Sequence, residues 1–302
     1  GEVARKIRLL TGAERVALSV TGSAAVLLAQ RLARAVTGKA IIAQFKGAYH
    51  GIGSEVLVME EEGHTIPLSP GIPYNLADNV ILLDYGSDEV FEILRERQHE
   101  IAAIMVEPVQ SRRPGYQPHR FLRHLRRVTE ELGILLIFDE MINGFRIHPG
   151  GSQHWFGIQA DLVTYGKIVG GGMPLSAIAG KARYLDLIDG GTWQFGDDSH
   201  PSGNTIFTGG THNRHPIALA ASNAVLDRML ECGDTLQRDV ARRTDAMVRE
   251  LTHFFEAEGV SLRITNFGSQ FRMESLSGLF EQEVFHYTLL DKGIYTWEQR
   301  IN

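Results

Sequence analysis

Cysteine is nearly missing from this sequence. Cys232 stands alone among 302 residues, so no internal disulfide is available, and the chain reads as a cytoplasmic protein with a buried thiol. Long apolar runs are missing as well. None approaches the ~20 residues that a membrane span requires, and the N-terminus lacks the layout of a secretion signal. An excess of positive charge is also absent: 30 Lys and Arg face 36 Asp and Glu, the net charge is −6, and the 12 His are scattered. Nothing there suggests a nucleic-acid or polyanion partner. Arg120, Arg123, Arg126 and Arg127 recur at helical spacing and read as the solvated face of an amphipathic helix. An initiator methionine is missing too. The opening GEVARKIRLLTG reads as mid-helix and the closing GIYTWEQRIN as a strand or its exit, so an internal piece of a longer polypeptide is expected.

What is present is ordinary globular material, 43% hydrophobic and 22% charged. A chain of this size buries roughly three quarters of its unfolded surface, so it needs neither disulfide nor metal for stability, and no metal site is expected. Short apolar strands alternate with amphipathic helices, which predicts an α/β fold: a mostly parallel central sheet with helices on both faces. Strands are expected over Arg15–Val20 (RVALSV), AIIAQF, VILLDY, IAAIMVEPV ending near Glu107, ILLIFDE and ADLVTYGK. Helices are expected after TGS and ending at Gly38, over SDEVFEILRERQHE capped by Ser87, over 120–132, from Pro216, and over 236–257. Residues 190–212 read as a long loop. The division expected is a large domain over 1–235 and the start of a smaller α+β C-terminal domain over 236–302.

Three features carry chemistry. Thr21-Gly22-Ser23 opens a helix, where backbone N–H groups and two hydroxyls can meet an anion, although a Ser or Thr there also serves as a plain cap. Asp139 closes an apolar strand, where a carboxylate is costly to bury unless a cation meets it; a solvated strand end or a salt bridge is the plainer reading. Lys167 closes the next apolar strand ahead of three glycines, and desolvation there would favour the neutral, nucleophilic amine, whereas a surface lysine before a loop is the alternative.

TGSAAV, FKGAYHG, VEPVQ, FDEMINGFR, TYGKIVGGGMP and FTGGTHNRHPIALAA occur in the order seen in class III (fold-type I) pyridoxal-phosphate (PLP) aminotransferases. The chain resembles that family most in the branch containing glutamate-1-semialdehyde aminomutase, from about residue 10 to 230. The resemblance implies a PLP enzyme, a transaminase. Lys167 would be the Schiff-base lysine and proton shuttle, and Asp139 would bind the pyridine nitrogen. Thr21, Gly22 and Ser23 would hold the phosphate. Tyr49 would stack on the ring with His50 beside it, Met141 would pack on the opposite face, and Glu107 would sit near the exocyclic side. Thr211 would reach the phosphate of a neighbouring subunit's cofactor, so a homodimer is implied. Two departures stand out: Ala24 where the family has an acid, and Met141 where it usually has Val.

YLDLIDGGTWQFGDDSHP is similar to aminotransferase domains of hybrid polyketide synthase–nonribosomal peptide synthetases. That implies a small-molecule amino donor and, as acceptor, a β-ketoacyl chain bound to an acyl carrier protein, in secondary metabolite biosynthesis. On the loop of Trp193, Phe195, Asp197, Asp198 and His200, the two acids could meet a donor ammonium or merely cap the loop, and Arg300 could meet a donor carboxylate. The alternatives are a free-standing aminomutase-like isomerase and a non-catalytic dimeric scaffold.

Overall fold

The computed structural model describes residues 1–193, 196–200 and 205–295. Helix α1 (Glu2–Thr11) leads to strand β1 (Arg15–Ser19), and α2 (Gly22–Thr37) stops where Gly38 turns left-handed at φ 68°. After β2 (Ile41–Phe45) comes a hairpin of β3 (Val58–Glu61) and β4 (His64–Pro67), then a single helical turn, α3 (Tyr74–Ala77), and β5 (Val80–Leu83). The chain continues through α4 (Glu89–Glu96), β6 (Ile101–Val106), α5 (His119–Leu132) and β7 (Leu135–Asp139). Next are α6 (Gly151–Phe156), β8 (Leu162–Tyr165), β9 (Ser176–Gly180) and the turn α7 (Ala182–Leu185). Two long helices, α8 (Pro216–Cys232) and α9 (Thr235–Ala257), precede the hairpin β10 (Leu262–Phe267) and β11 (Gln270–Ser275), followed by α10 (Leu279–Asp291).

The main sheet runs β1-β9-β8-β7-β6-β2-β5. β9 is antiparallel to both its neighbours, and the pairs from β8 to β5 are parallel. Because side chains alternate along a strand, β7 sends Leu135 and Ile137 to one face and Leu136 and Phe138 to the other. On the first face they meet Val26, Ala29 and Leu32 of α2. On the second they join a larger core with Ile7 of α1, Leu94 of α4 and Leu122 and Leu125 of α5. Asp139 continues the Leu135–Ile137 face, and Glu107 continues the face of Met105, which also packs toward α2. The period of two thus delivers both acids to the α2 side at the carboxyl ends of their strands, where open α/β sheets place ligands.

Several expectations change in detail. The small-residue run SAIAG was not expected as a strand, yet it forms β9 and reverses the sheet direction. The β3–β4 hairpin was not expected either; its turn uses Glu62 (φ 50°) and Gly63 (φ 80°). The helix near Ser87 starts at Glu89, whose N–H donates to Ser87 Oγ at 3.3 Å. The basic face of α5 is not wholly solvated: Arg126 bonds to the buried Asp161 at 2.8 Å, and Lys181 meets the same carboxylate at 2.7 Å. Cys232 is half-buried rather than buried. No described helix is long and apolar enough to cross a membrane.

Candidate active site

α2 begins with Thr21 as its N-cap, and Thr21 Oγ1 accepts the Ala24 N–H at 3.2 Å. That bond is the plainer of its two expected roles, and it leaves the hydroxyl proton of Thr21 free to donate. Ser23 Oγ accepts the Ile52 N–H at 3.0 Å, leaving its own proton free to donate toward an anion. The loop carrying Tyr49, His50 and Gly51 presses close here. A Cβ on Gly51 (φ +99°) would stand 2.4 Å from Ser23 Oγ, so only glycine fits. Ser176 of β9 donates to the Thr21 carbonyl at 2.7 Å and ties the α2 entry to the sheet.

Asp139 is 2% exposed, so it is not the solvated strand-end acid. His50 Nδ1 lies 2.7 Å from Asp139 Oδ2, the geometry of an Nδ1–H donor. Oδ1 accepts the Thr164 hydroxyl and the Met141 N–H, both at 3.1 Å. Three donors hold the carboxylate, and Oδ2 keeps a lone pair for another partner. His50 Nε2 is buried with no hydrogen-bond partner among the described residues. Glu107, 3% exposed, accepts the Tyr49 N–H at 3.0 Å and the Ser111 N–H at 3.3 Å, and burial pushes its carboxyl above the usual range.

Met141 joins the separate pieces. A Cβ on Gly22 would lie 2.9 Å from its sulfur, and one on Gly166 would lie 2.6 Å away. The methionine side chain therefore lies between the start of α2 and the residue before Lys167. Lys167 itself has φ +50°, a backbone state that costs a side-chain-bearing residue about 1 kcal/mol or more. It opens a short 3-10 turn and is exposed on this chain, which corrects the expected desolvation. Thr211 is exposed on a segment without helix or strand. Asp197 accepts the Ser199 N–H at 2.8 Å, as a loop cap does; Phe195 and Arg300 lie outside the described residues.

Two residues were not singled out from sequence. Thr164 shares the α2 face with Asp139 across the β7–β8 register and anchors its carboxylate; period-two reading of LVTYGK would have found it. Glu140 follows Asp139 and, by the same alternation, faces the other way. It is fully buried, accepts the Ser152 N–H at 2.6 Å and the Gln153 N–H at 3.0 Å, and burial pushes its carboxyl up to about 8.

The donor set suits a flat, phosphate-bearing heterocycle. A helix N-terminus with a free serine proton suits the phosphate, an open lone pair on a buried carboxylate suits a ring N–H⁺, and an amine stands at the neighbouring strand end. The profile of the family described as aminotransferase class III matches residues 1–299. The chain belongs to that family. Glutamate-1-semialdehyde 2,1-aminomutase from Methanococcus maripaludis strain C5 is 36% identical over 300 residues, covering 94% of this chain and 67% of the relative. The enzyme of that name from Methanocaldococcus jannaschii is 37% identical over 266 residues, covering 86% of this chain and 59% of the relative. An omega-transaminase from Sphaerobacter thermophilus superposes with a TM-score of 0.84 at 27% identity, covering 97% of this chain and 70% of that one. A β-phenylalanine aminotransferase from Variovorax paradoxus gives 0.77 at 26%, covering 98% and 66%. The fold-type I architecture of class III transaminases is thus the fold of this chain.

Proposed function

We propose that this chain is the PLP-binding part of a transaminase, with Lys167 as the residue that joins the cofactor and moves the proton. PLP, when bound, supplies an electron sink, and it does so only while its ring nitrogen stays protonated. Asp139 holds that proton in place: its carboxylate is buried and oriented by His50, Thr164 and the Met141 N–H. Gly22 and Ser23 hold the phosphate with the helix N-terminus. Tyr49 and Met141 confine the ring, and Glu107 fixes the Tyr49 backbone. Lys167 would join the cofactor, and its amine would act as general base and then general acid toward the substrate carbon. Residues 236–302 read as the start of a smaller, substrate-side domain. Thr211 reads as a phosphate ligand given to a second subunit of a homodimer in the cytoplasm.

The buried Asp139 with a spare lone pair, one methionine away from both Gly22 and Gly166, is the observation that carries this function. Lys167→Ala should lose turnover and the visible colour of the loaded protein while keeping its circular dichroism; a yellow, active variant would refute it.

For the reaction itself, the relatives support an intramolecular amino shift of the glutamate-1-semialdehyde aminomutase kind over the assembly-line reading. An aminomutase needs no external donor, so the pyridoxamine-phosphate form should convert glutamate 1-semialdehyde alone. Strict dependence on an added amino acid would overturn that assignment in favour of transamination between two molecules. The loop Trp193–His200, similar to carrier-linked aminotransferase domains, supports a carrier-bound β-ketoacyl acceptor as the second reading. Amine transfer from an amino-acid donor to such a thioester tests it directly.

A further inference from the structure

Beside Met141, and outside every role assigned above, lies a cavity of about 320 Å³ between the 142–146 turn, β11 and α10. Its walls are largely apolar, with Ile142, Phe271, Met273 and Phe285, and two guanidinium groups, Arg146 and Arg272, enter it. Arg146 is unusual. Its Nε donates to the Ile142 carbonyl at 3.1 Å and its Nη1 to Ser269 Oγ at 3.1 Å. A guanidinium carries five N–H donors, and among the described residues no carboxylate pairs with this one. Arg146 is half-buried, and burial pushes its pKa below the arginine range. A desolvated cation without a counter-charge is costly, and an incoming anion removes that cost.

Several exposed arginines have an acid of their own. Arg97 meets Glu100, Arg238 meets Asp234 and Arg242 meets Asp239 within their own helices or turns. Arg272 has Glu274 at 3.1 Å, which leaves the two arginines with one acid between them at the cavity. Two links run from the cavity wall to the candidate active site. Ile142 follows Met141 directly, and Gln270 Nε2 donates to the Ser111 carbonyl at 3.1 Å, while the Ser111 N–H donates to Glu107.

We propose that this cavity binds a carboxylate carrying an apolar chain, with Arg146 as its principal ligand and Arg272 as the second, and that it receives the acid end of the substrate. The second half rests on the transaminase reading; the first does not. A planar fork of N–H donors matches a carboxylate in two-point contact, and the apolar walls select an acid with several methylenes over a compact dicarboxylate.

Hexanoate and hexanol are the probes, titrated calorimetrically into the full chain with and without PLP. Hexanoate should bind and hexanol should not. Arg146→Gln should weaken hexanoate by about thirtyfold or more, the scale of removing one partner of a buried hydrogen-bonded charge pair. Arg146→Lys should recover part of the loss by restoring charge without the fork. Arg272→Gln, whose guanidinium already has an acid, should cost less than Arg146→Gln and guards against a folding defect in the latter. Equal binding of hexanol and hexanoate, or unchanged hexanoate affinity in both Gln variants, would overturn the pocket assignment. PLP uptake by the same samples is read separately: its failure counts against the transaminase reading while the hexanoate titration still decides the pocket.

Discussion

Asp139 stays in the interior because both of its carboxylate oxygens are engaged, His50 at 2.7 Å on Oδ2 and Thr164 and the Met141 N–H on Oδ1, while Oδ2 keeps one lone pair open. Asp139→Asn keeps the shape but removes the charge that holds a ring proton. The expected result is retained PLP binding with roughly 100-fold or more loss of rate, the scale of losing one preorganised electrostatic partner; near-wild-type turnover would remove the electron-sink role from Asp139. Glu140, on the opposite face, makes a stability prediction. Its folded pKa of about 8 lies above the ordinary 4.5, so between those values the folded chain holds a proton that the unfolded chain has released. Stability therefore falls as pH rises through that window, and buried Glu107 acts in the same direction. Urea midpoints measured at pH 5 and pH 8 should show the fall, and Glu140→Gln should flatten it. A midpoint that rises with pH equally in both proteins would contradict the assignment.

Among elements, α2 does two jobs. Its N-terminus faces the candidate active site, and its apolar side, with Leu32 0% exposed, covers one face of the sheet. Leu32→Ala should cost roughly 2–5 kcal/mol by urea denaturation, as for other buried leucines, without altering the site chemistry. A cost near zero would mean that the helix does not cover the sheet as described. The strands leading to Glu107, Asp139 and Lys167 were legible in sequence because each is a mostly apolar run with an ionisable group at its carboxyl end. β9 was not legible: SAIAG has small residues with no alternation, and its partners lie far off in sequence at Arg15–Ser19 and Leu162–Tyr165. The burial of Cys232 and the solvation of Arg126 were misread for a related reason. Both depend on what a distant segment brings alongside, such as Asp161 for Arg126. The exposure of Lys167 follows the surface-lysine alternative that the sequence offered, since an apolar strand buries its own residues and not the one that begins the next turn.

At the scale of the whole molecule, one chain gathers the α2 N-terminus, Tyr49, His50, Glu107, Asp139, Met141 and the Lys167 strand end, and leaves Thr211 and Lys167 exposed. A second copy is what would bring a threonine to each phosphate. Sedimentation should therefore show a dimer, and mixing inactive Lys167→Ala with a weakly loaded Thr211→Ala variant should recover activity by forming one intact site. No recovery from demonstrated mixed dimers would assign Thr211 elsewhere. The central claim is that the amine of Lys167 meets the cofactor gripped by Asp139. Borohydride reduction of the PLP-loaded chain followed by peptide mass spectrometry addresses it most directly. The expected result is one pyridoxyl-phosphate mass increment, confined to the peptide containing Lys167 and absent from Lys167→Ala; an increment on another lysine, or the same labelling in the variant, would contradict it.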